Sequence, residues 1–407
     1  MELADIPALL ILAGIIAYAV LAGADFGAPV WAVTARGEES NRLRESGHRS
    51  MAPVWEANHV WLIFVLVVCW TAYPEVFGAI FSTLWIPLIL ACLGIIMRAI
   101  GYVAGGVTVS RSVTWLAAIA SLLVPFALGA VIGALVAGNV PPGNAEGDII
   151  SSWLAPVPIM VGLLLVATSA YLAAVYLAAD AKRRGEEDLA RAFGNRALLA
   201  GVVAGLLAVA GLVVLYFDAR GFFDAMVSTS GRHNELGRLC VCVSAIAGTA
   251  TLWLLSIRRY GEARFVAAVA VAAIVVGWGL TQQPEVMPGL TIHEAAASDD
   301  VIIGLLVAVA VGLLILIPSL YLLYGLVLGG RFDPLAVPAV ESAEAGRELD
   351  PAGRSRVAVV LVIAAVGGLL LFISDGGARL YIGLALFMIG LAGGVVLLAR
   401  SLAQLRD

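Results

Sequence analysis

Residues 6–34 read IPALLILAGIIAYAVLAGADFGAPVWAVT, a run with one ionisable side chain, Asp25, and no Lys or Arg. About 20 such residues cross a hydrocarbon core of about 30 Å as a helix, so this run reads as a membrane span. It is too long for a secretory signal and carries no cleavage-like site, so no separate signal peptide is expected. Lipid offers no partner for an open strand edge, which makes helix the only conformation available to an isolated run of this kind.

Ten more apolar runs follow, at about 54–75, 77–104, 112–138, 153–179, 197–217, 238–257, 264–283, 300–328, 356–374 and 379–400. The sequence therefore predicts an all-α integral membrane protein with about 11 transmembrane helices. Nine would form a core of helical bundles (1–328), and a cytoplasmic linker rich in Pro, Glu and Ala (329–355) would lead to a two-helix hairpin and tail (356–407). Composition agrees. Of the 407 residues 61% are hydrophobic and 13% charged, where soluble domains carry about 25% charged residues. That excludes a soluble enzyme, a disordered chain, collagen and coiled coil. The alternating segments of a transmembrane β-barrel are missing. A net charge of -5 gives no reason to expect nucleic acid. The four Cys form no zinc pattern and no disulfide framework, and no Walker loop or Rossmann fingerprint occurs.

Basic residues set orientation. One set of loops, with the tail, takes 20 of the 24 Lys and Arg, leaving Arg220, Arg232, Arg238 and Arg379 for the other. The expected topology has the N-terminus outside and the C-terminus in the cytoplasm.

Ionisable groups inside a span are costly and usually functional. Asp25, in Gly23-Ala24-Asp25-Phe26-Gly27, lies five residues, about 7 Å, to the cytoplasmic side of the span's midpoint. Its glycine neighbours let another helix approach closely. It is either a proton-relay carboxyl or a hydrogen-bond acceptor that fixes helix packing. The second span opens on Pro53-Val54-Trp55-Glu56-Ala57-Asn58-His59-Val60-Trp61-Leu62, with a carboxylate, an amide and an imidazole within four residues. Glu56 and His59 are three apart and share a helix face, while Trp55 and Trp61 suit the membrane interface. The group could pass protons, or it could be an interfacial first turn with a capping acid.

The remaining polar features read more plainly. Arg98, ending the third span, is expected to snorkel to the cytoplasmic face. Tyr73-Pro74-Glu75 marks a turn. His293 and Glu294 read as solvated residues of a polar outer loop, and Cys240 and Cys242 as core. Haem ligation needs His, Met, Cys or Tyr on facing helices deep in the membrane. Of His48, His59, His233 and His293 only His59 lies near a span, so no bis-His haem and no metal site are expected on this chain.

These motifs resemble subunit II of the cytochrome bd-type quinol oxidases. Gly23-Ala24-Asp25-Phe26-Gly27 is similar to the family's G-x-D-x-G, and Pro53 to Leu62 to its P-x-W-[DE]-x-N-x-x-W-L. Arg98-Ala99-Ile100-Gly101, Gln283-Pro284, Leu290-Thr291-Ile292, Ala295-Ala296 and Ile317-Pro318-Ser319-Leu320-Tyr321 follow in the family's order. The resemblance implies an oxidase of the bacterial cell membrane that oxidises quinol and reduces dioxygen to water. Haems b and d would be bound mainly by a subunit I partner. This chain would support assembly, and in some members a structural quinone. It would carry no direct catalytic residue. It would supply a cytoplasmic proton path through Asp25, Glu56, Asn58 and His59, with Trp55, Trp61 and Arg98 as structural or interface residues. A small single-helix accessory subunit and membrane lipid complete the implied partners. Three positions depart from the pattern. Ala22 stands where the family often has Asp, Trp55-Glu56-Ala57-Asn58 replaces W-D-G-N, and His59 replaces Glu or Gln. The hairpin 356–400 has no counterpart in the nine-helix pattern.

Two other readings compete. A proton-coupled secondary transporter would show inverted repeats and broken helices, for which Pro125, Gly129 and Gly133 in the fourth span are the candidate break. A purely structural membrane scaffold is the other.

Overall fold

The computed structural model describes residues 2–34, 42–43, 45–47, 50, 55–105, 111–228 and 232–328, with single positions 382, 386 and 389 beyond them. The chain divides into two compact units, Met1–Asp333 and Pro334–Asp407. The expected linker 329–355, and the hairpin and tail 356–407 apart from those three positions, lie outside the described residues.

The described residues of the first unit are mostly helical. Helix α1 (Asp5–Ala17) runs through a π-helical turn, Tyr18–Ala22, into α2 (Gly23–Thr34). Then come α3 (Trp55–Ala72), α4 (Pro74–Thr83), α5 (Trp85–Gly105), α6 (Arg111–Val136), α7 (Pro156–Arg183), α8 (Glu187–Asp218) and a short α9 (Arg220–Val227). Helices α10 (Arg232–Ser256) and α11 (Tyr260–Gln282) lead to a small hairpin of β1 (Glu285–Met287) and β2 (Leu290–Thr291). The single turn α12 (Ile292–Ala295) and the long α13 (Asp299–Leu328) close the unit. Among the described residues eight helices are long and apolar enough to cross a membrane, or nine if α4 and α5 count as one bent span. The all-α membrane class therefore stands. The last two of the expected eleven spans fall on residues outside the described ones.

One expected span is not straight. The run 77–104 breaks at Leu84, where α4 and α5 meet at 83°. Pro87 explains the position of the break. It has no N–H for the carbonyl of Thr83, and its ring would clash with that residue in a continuous helix. In the first turn of α5 the same proline is harmless. The fourth span does the opposite. Helix α6 continues through Pro125, and its glycines serve packing. A Cβ on Gly129 would lie 2.7 Å from the Cα of Gly162, and one on Gly133 2.5 Å from the Cα of Pro158. Small residues at such points let backbones touch, which is how helices associate where lipid removes the hydrophobic drive. The broken helix that a transporter reading invokes is absent from span four.

Helix α7 is the centre. It packs against α2, α6, α8 and α11, and residues 169–181 are buried on every side. A helix apolar all round and enclosed all round is the core of a bundle. It stops at Gly185, whose φ of +77° is a left-handed conformation that costs glycine little. The backbone N–H groups of Gly185 and Glu186 then close onto the carbonyls of Lys182 and Ala181, the usual way of satisfying the orphan carbonyls of a last turn.

The hairpin, a feature without a sequence expectation, ties the loop after α11 to the rest of that face. Glu285 pairs with Thr291 and Met287 with Leu290, and the Ala297 N–H donates to Ala72 O at 2.8 Å. Glu294 is not simply solvated. It forms a capping box with Thr291, whose backbone N–H and hydroxyl hold the Glu294 carboxyl below the usual carboxylate range. His293 sits 3.3 Å from Glu2 and 3.4 Å from Asp5.

Candidate functional site

The site forms where the first span changes its winding. At the π turn the Gly23 N–H donates to Tyr18 O, five residues back. The wide turn offers its carbonyls to side chains. Tyr176 Oη donates to Val20 O at 3.2 Å, and Asn58 Nδ2 reaches Leu21 O at 3.3 Å. Single π turns inside α-helices occur frequently at functional sites. Gly23 and Gly27, four apart, share the face that meets α7. A Cβ on Gly27 would collide with the backbone oxygen of Ser169. The expected close approach of another helix beside Asp25 is therefore present, and α7 is that helix.

Asp25 is fully buried. Its Oδ2 accepts from Asn58 Nδ2 at 2.7 Å, so α3 delivers the amide of Asn58 to the carboxyl. Oδ1 has no hydrogen-bond partner among the described residues. Arg98 comes from α5 and is 1% exposed. Its Nη2 donates to the backbone oxygen of Asp25, its Nη1 to Ser121 Oγ at 3.0 Å, and its guanidinium lies 5.1 Å from the Phe26 ring centroid. This corrects the expectation that Arg98 snorkels. A buried carbonyl, a hydroxyl and an aromatic face supply inside the bundle the partners that a cation otherwise seeks at the membrane surface. A positive and a negative group thus occupy one enclosed place, the usual condition for tolerating charge at membrane depth.

His59 is on the same side of α3 as Asn58. Its Nδ1 donates to Trp55 O at 2.8 Å. Its ring meets Tyr18, Phe26 and Trp55 edge-on, with centroids 5.9, 5.9 and 6.0 Å away. The Nε2 of His59 and the hydroxyl of Tyr18 are buried without a partner among the described residues, like Asp25 Oδ1. Three aromatic rings around a sealed Nε2 leave no slot for a porphyrin, so these residues do not fit a haem. The described residues also contain no group of three His, Cys, Asp or Glu suited to a metal.

Glu56 is not brought in. It is exposed in the first turn of α3, whereas Asn58, two residues on, is buried against Asp25. Trp55 lines the site through His59, whereas Trp61 packs on Phe64 at 6.3 Å, outside it. Cys240 and Cys242 are not core: Cys240 is half-buried and Cys242 exposed. Two positions apart, they face different sides of α10, and α11 covers only one. The residues that sequence reasoning missed are Tyr18, Phe26 and Ser121, with Tyr176 beneath the turn. Tyr18 carried a weak signal as the sole hydroxyl of residues 6–33. Ser121 carried none.

A second acid and arginine lie near the far end of α7. Arg264 Nη1 donates to Asp180 Oδ1 at 3.0 Å, and the guanidinium lies 4.8 Å from the ring centroid of Tyr176.

Fold and site together define a multi-span helical membrane protein in which Asp25, Asn58 and Arg98, from the first, second and third spans, meet in a buried centre. The chain belongs to the cytochrome bd terminal oxidase subunit II family, whose model matches residues 3–327. It is 23% identical over 216 residues to a Bacillus subtilis (strain 168) protein assigned as a cytochrome bd menaquinol oxidase subunit II. That match covers 52% of this chain and 62% of the relative. It is 24% identical over 314 residues to subunit 2 of the cytochrome bd-I ubiquinol oxidase of Escherichia coli (strain K12), covering 69% of this chain and 81% of that one. Among solved structures it is similar to a chain of the bd oxidase from Geobacillus thermodenitrificans. The TM-score is 0.66 at 26% identity, over 81% of this chain and 99% of the other.

Proposed function

We propose that this chain is the proton-carrying, haem-free subunit II of a bd-type quinol oxidase. The complex oxidises quinol and reduces dioxygen to water, with haems b and d in subunit I. Such a reduction consumes a proton for each electron, so an enclosed oxygen site needs a route for protons as well as for electrons. One observation supports the reading: Asp25 Oδ1, the Tyr18 hydroxyl and His59 Nε2 are three buried polar atoms without partners among the described residues, and the rings of Tyr18, Phe26 and His59 meet edge-on beside Asp25. Buried polar groups are normally satisfied. Sites where several remain open, and are polar on more than one side, hold ordered water. Water there would join the three groups into a short relay.

In this relay Asp25 is the group that takes and releases the proton. Asn58 orients its carboxyl through Oδ2, and Arg98 holds the backbone beneath it. His59 lengthens the route, and exposed Glu56 is the acid that gathers protons at the membrane face. The family's acidic pair is thereby split into an inner and an outer member. The N-terminus is outside and the C-terminus cytoplasmic in this topology, as the distribution of Lys and Arg favours. Holding a structural quinone and assisting the assembly of subunit I are two further roles that the resemblance implies.

The test is the purified complex of both subunits carrying Glu56→Gln. Oxygen consumption should fall while the haem spectrum and subunit ratio stay unchanged. Loss of haem together with activity would assign Glu56 a structural role. Substrate transport by this chain alone, with no haem partner, would overturn the oxidase reading.

A further inference from the structure

The bundle carries a groove well away from the Asp25 site. It lies where α8 ends, α9 crosses and α10 begins, has a volume of about 430 Å3, and is lined by Val213, Tyr216, Phe223, Met226, Arg238 and Cys242 among others. Its walls face outward: Val213 is 54% and Tyr216 43% exposed. In a protein that spans a membrane, such a wall meets lipid.

Two observations give the groove a charge. The first is where the basic residues fall. Gly237, at the start of α10, packs against Thr281 at the end of α11, so these two helices run antiparallel and the groove shares a side of the bundle with the loop after α11, which carries no Lys or Arg. The groove is therefore on the side of the membrane that receives few Lys or Arg. Within residues 1–333 the basic residues read for that side are Arg220, Arg232 and Arg238, and all three fall in this one segment. The second is how the two described arginines are used. Arg220 is already neutralised. Its Nε bonds Asp224 at 3.0 Å and its guanidinium stacks 4.0 Å from the Tyr216 ring centroid. Arg238 is exposed and makes no ion pair among the described residues. The groove thus presents one apolar channel and one cation at its rim.

We propose that this groove binds one anionic membrane phospholipid, with an acyl chain along Val213, Tyr216 and Met226 and the phosphate on Arg238. A guanidinium matches a phosphate with two parallel hydrogen bonds. A groove of a few hundred Å3 walled by aliphatic and aromatic side chains is of the size that holds a small apolar ligand. A quinone tail would fill the channel but leave the cation unmatched. The α9 segment is a short amphipathic helix with Phe223 and Met226 turned to the groove, the form of element that lies at a lipid headgroup boundary. The inference rests on the membrane fold and not on the proton path.

The experiment uses the assembled oxidase in phosphatidylcholine nanodiscs supplied with a trace of phosphatidylglycerol, and counts retained phosphatidylglycerol by native mass spectrometry. Wild type should keep it. Arg238→Gln should reduce retention several-fold, and Arg238→Lys should restore part of it. Val213→Trp, which fills the channel with the charge unchanged, should also release it. The haem spectrum checks assembly in each case, and if Val213→Trp fails to assemble, the two Arg238 variants decide. Equal retention in wild type and Arg238→Gln would overturn the proposal. So would a retained quinone, or no retained lipid in wild type.

Discussion

The first span and the far end of α7 each hold a carboxylate and an arginine, and the two pairs are built differently. At Asp180 the arginine binds the carboxylate itself, Nη1 to Oδ1 at 3.0 Å. At Asp25 it binds the backbone carbonyl and a serine, while the carboxyl takes one amide hydrogen bond and, among the described residues, keeps Oδ1 open. A closed pair spends its charge on holding helices together. An open carboxyl is poorly used as a brace, because burying a polar atom without a partner costs about 1–3 kcal/mol. That cost is sensible where the open atom has work to do. The two sites are joined through Tyr176, which lies under Arg264 and donates to the π turn that carries Asp25.

The comparison can be broken at four strengths. The largest effect is expected from Gly27→Leu. Its side chain cannot fit against the Ser169 backbone, so α2 should lose its seat on α7 and no assembled complex should accumulate in the membrane. A normal yield would mean that close approach of α7 does not hold Asp25. Next is Asp25→Asn. The shape stays and the proton is lost, so oxygen consumption should fall on the order of 100-fold, as for removal of a proton-transfer group, with thermal stability nearly unchanged. Asp180→Asn should do the reverse. Leaving Arg264 half-paired should cost about 1–2 kcal/mol of stability, seen as a lower unfolding temperature in detergent, at unchanged turnover per haem. The smallest effect is Tyr176→Phe. Loss of its bond to Val20 O should cost about 0.5–1.5 kcal/mol, with a modest fall in turnover if the turn shifts Asp25.

Much of this was legible beforehand, and the gaps have physical causes. Membrane spans are written in long apolar runs, and lipid leaves helix as the only answer, so the eight straight spans among the described residues could be read directly. The bend at Leu84 was hidden because the run stays apolar across it. Pro87 was the available sign, and a proline in an apolar run is ambiguous, as the unbroken helix through Pro125 shows. Asp25 stood out because it is alone in its span, and Gly23 and Gly27 announced the close neighbour. Arg98 was misread because sequence position places it near a membrane face. Nothing in one sequence says that Ser121 and the Asp25 carbonyl wait for it on other helices. Glu56 and Asn58 are two apart, and only the packing of α3 decides that the amide faces in and the acid faces out.

The central claim is that the open carboxyl moves protons while the closed pair braces the bundle. It is tested most directly by reconstituting the complex in liposomes and recording proton uptake on the cytoplasmic face during turnover with quinol and oxygen. Asp25→Asn should abolish fast uptake while the haems still accept electrons, and Asp180→Asn should take up protons as wild type does. Wild-type uptake in Asp25→Asn, or its loss in Asp180→Asn in a fully assembled complex, would contradict the account.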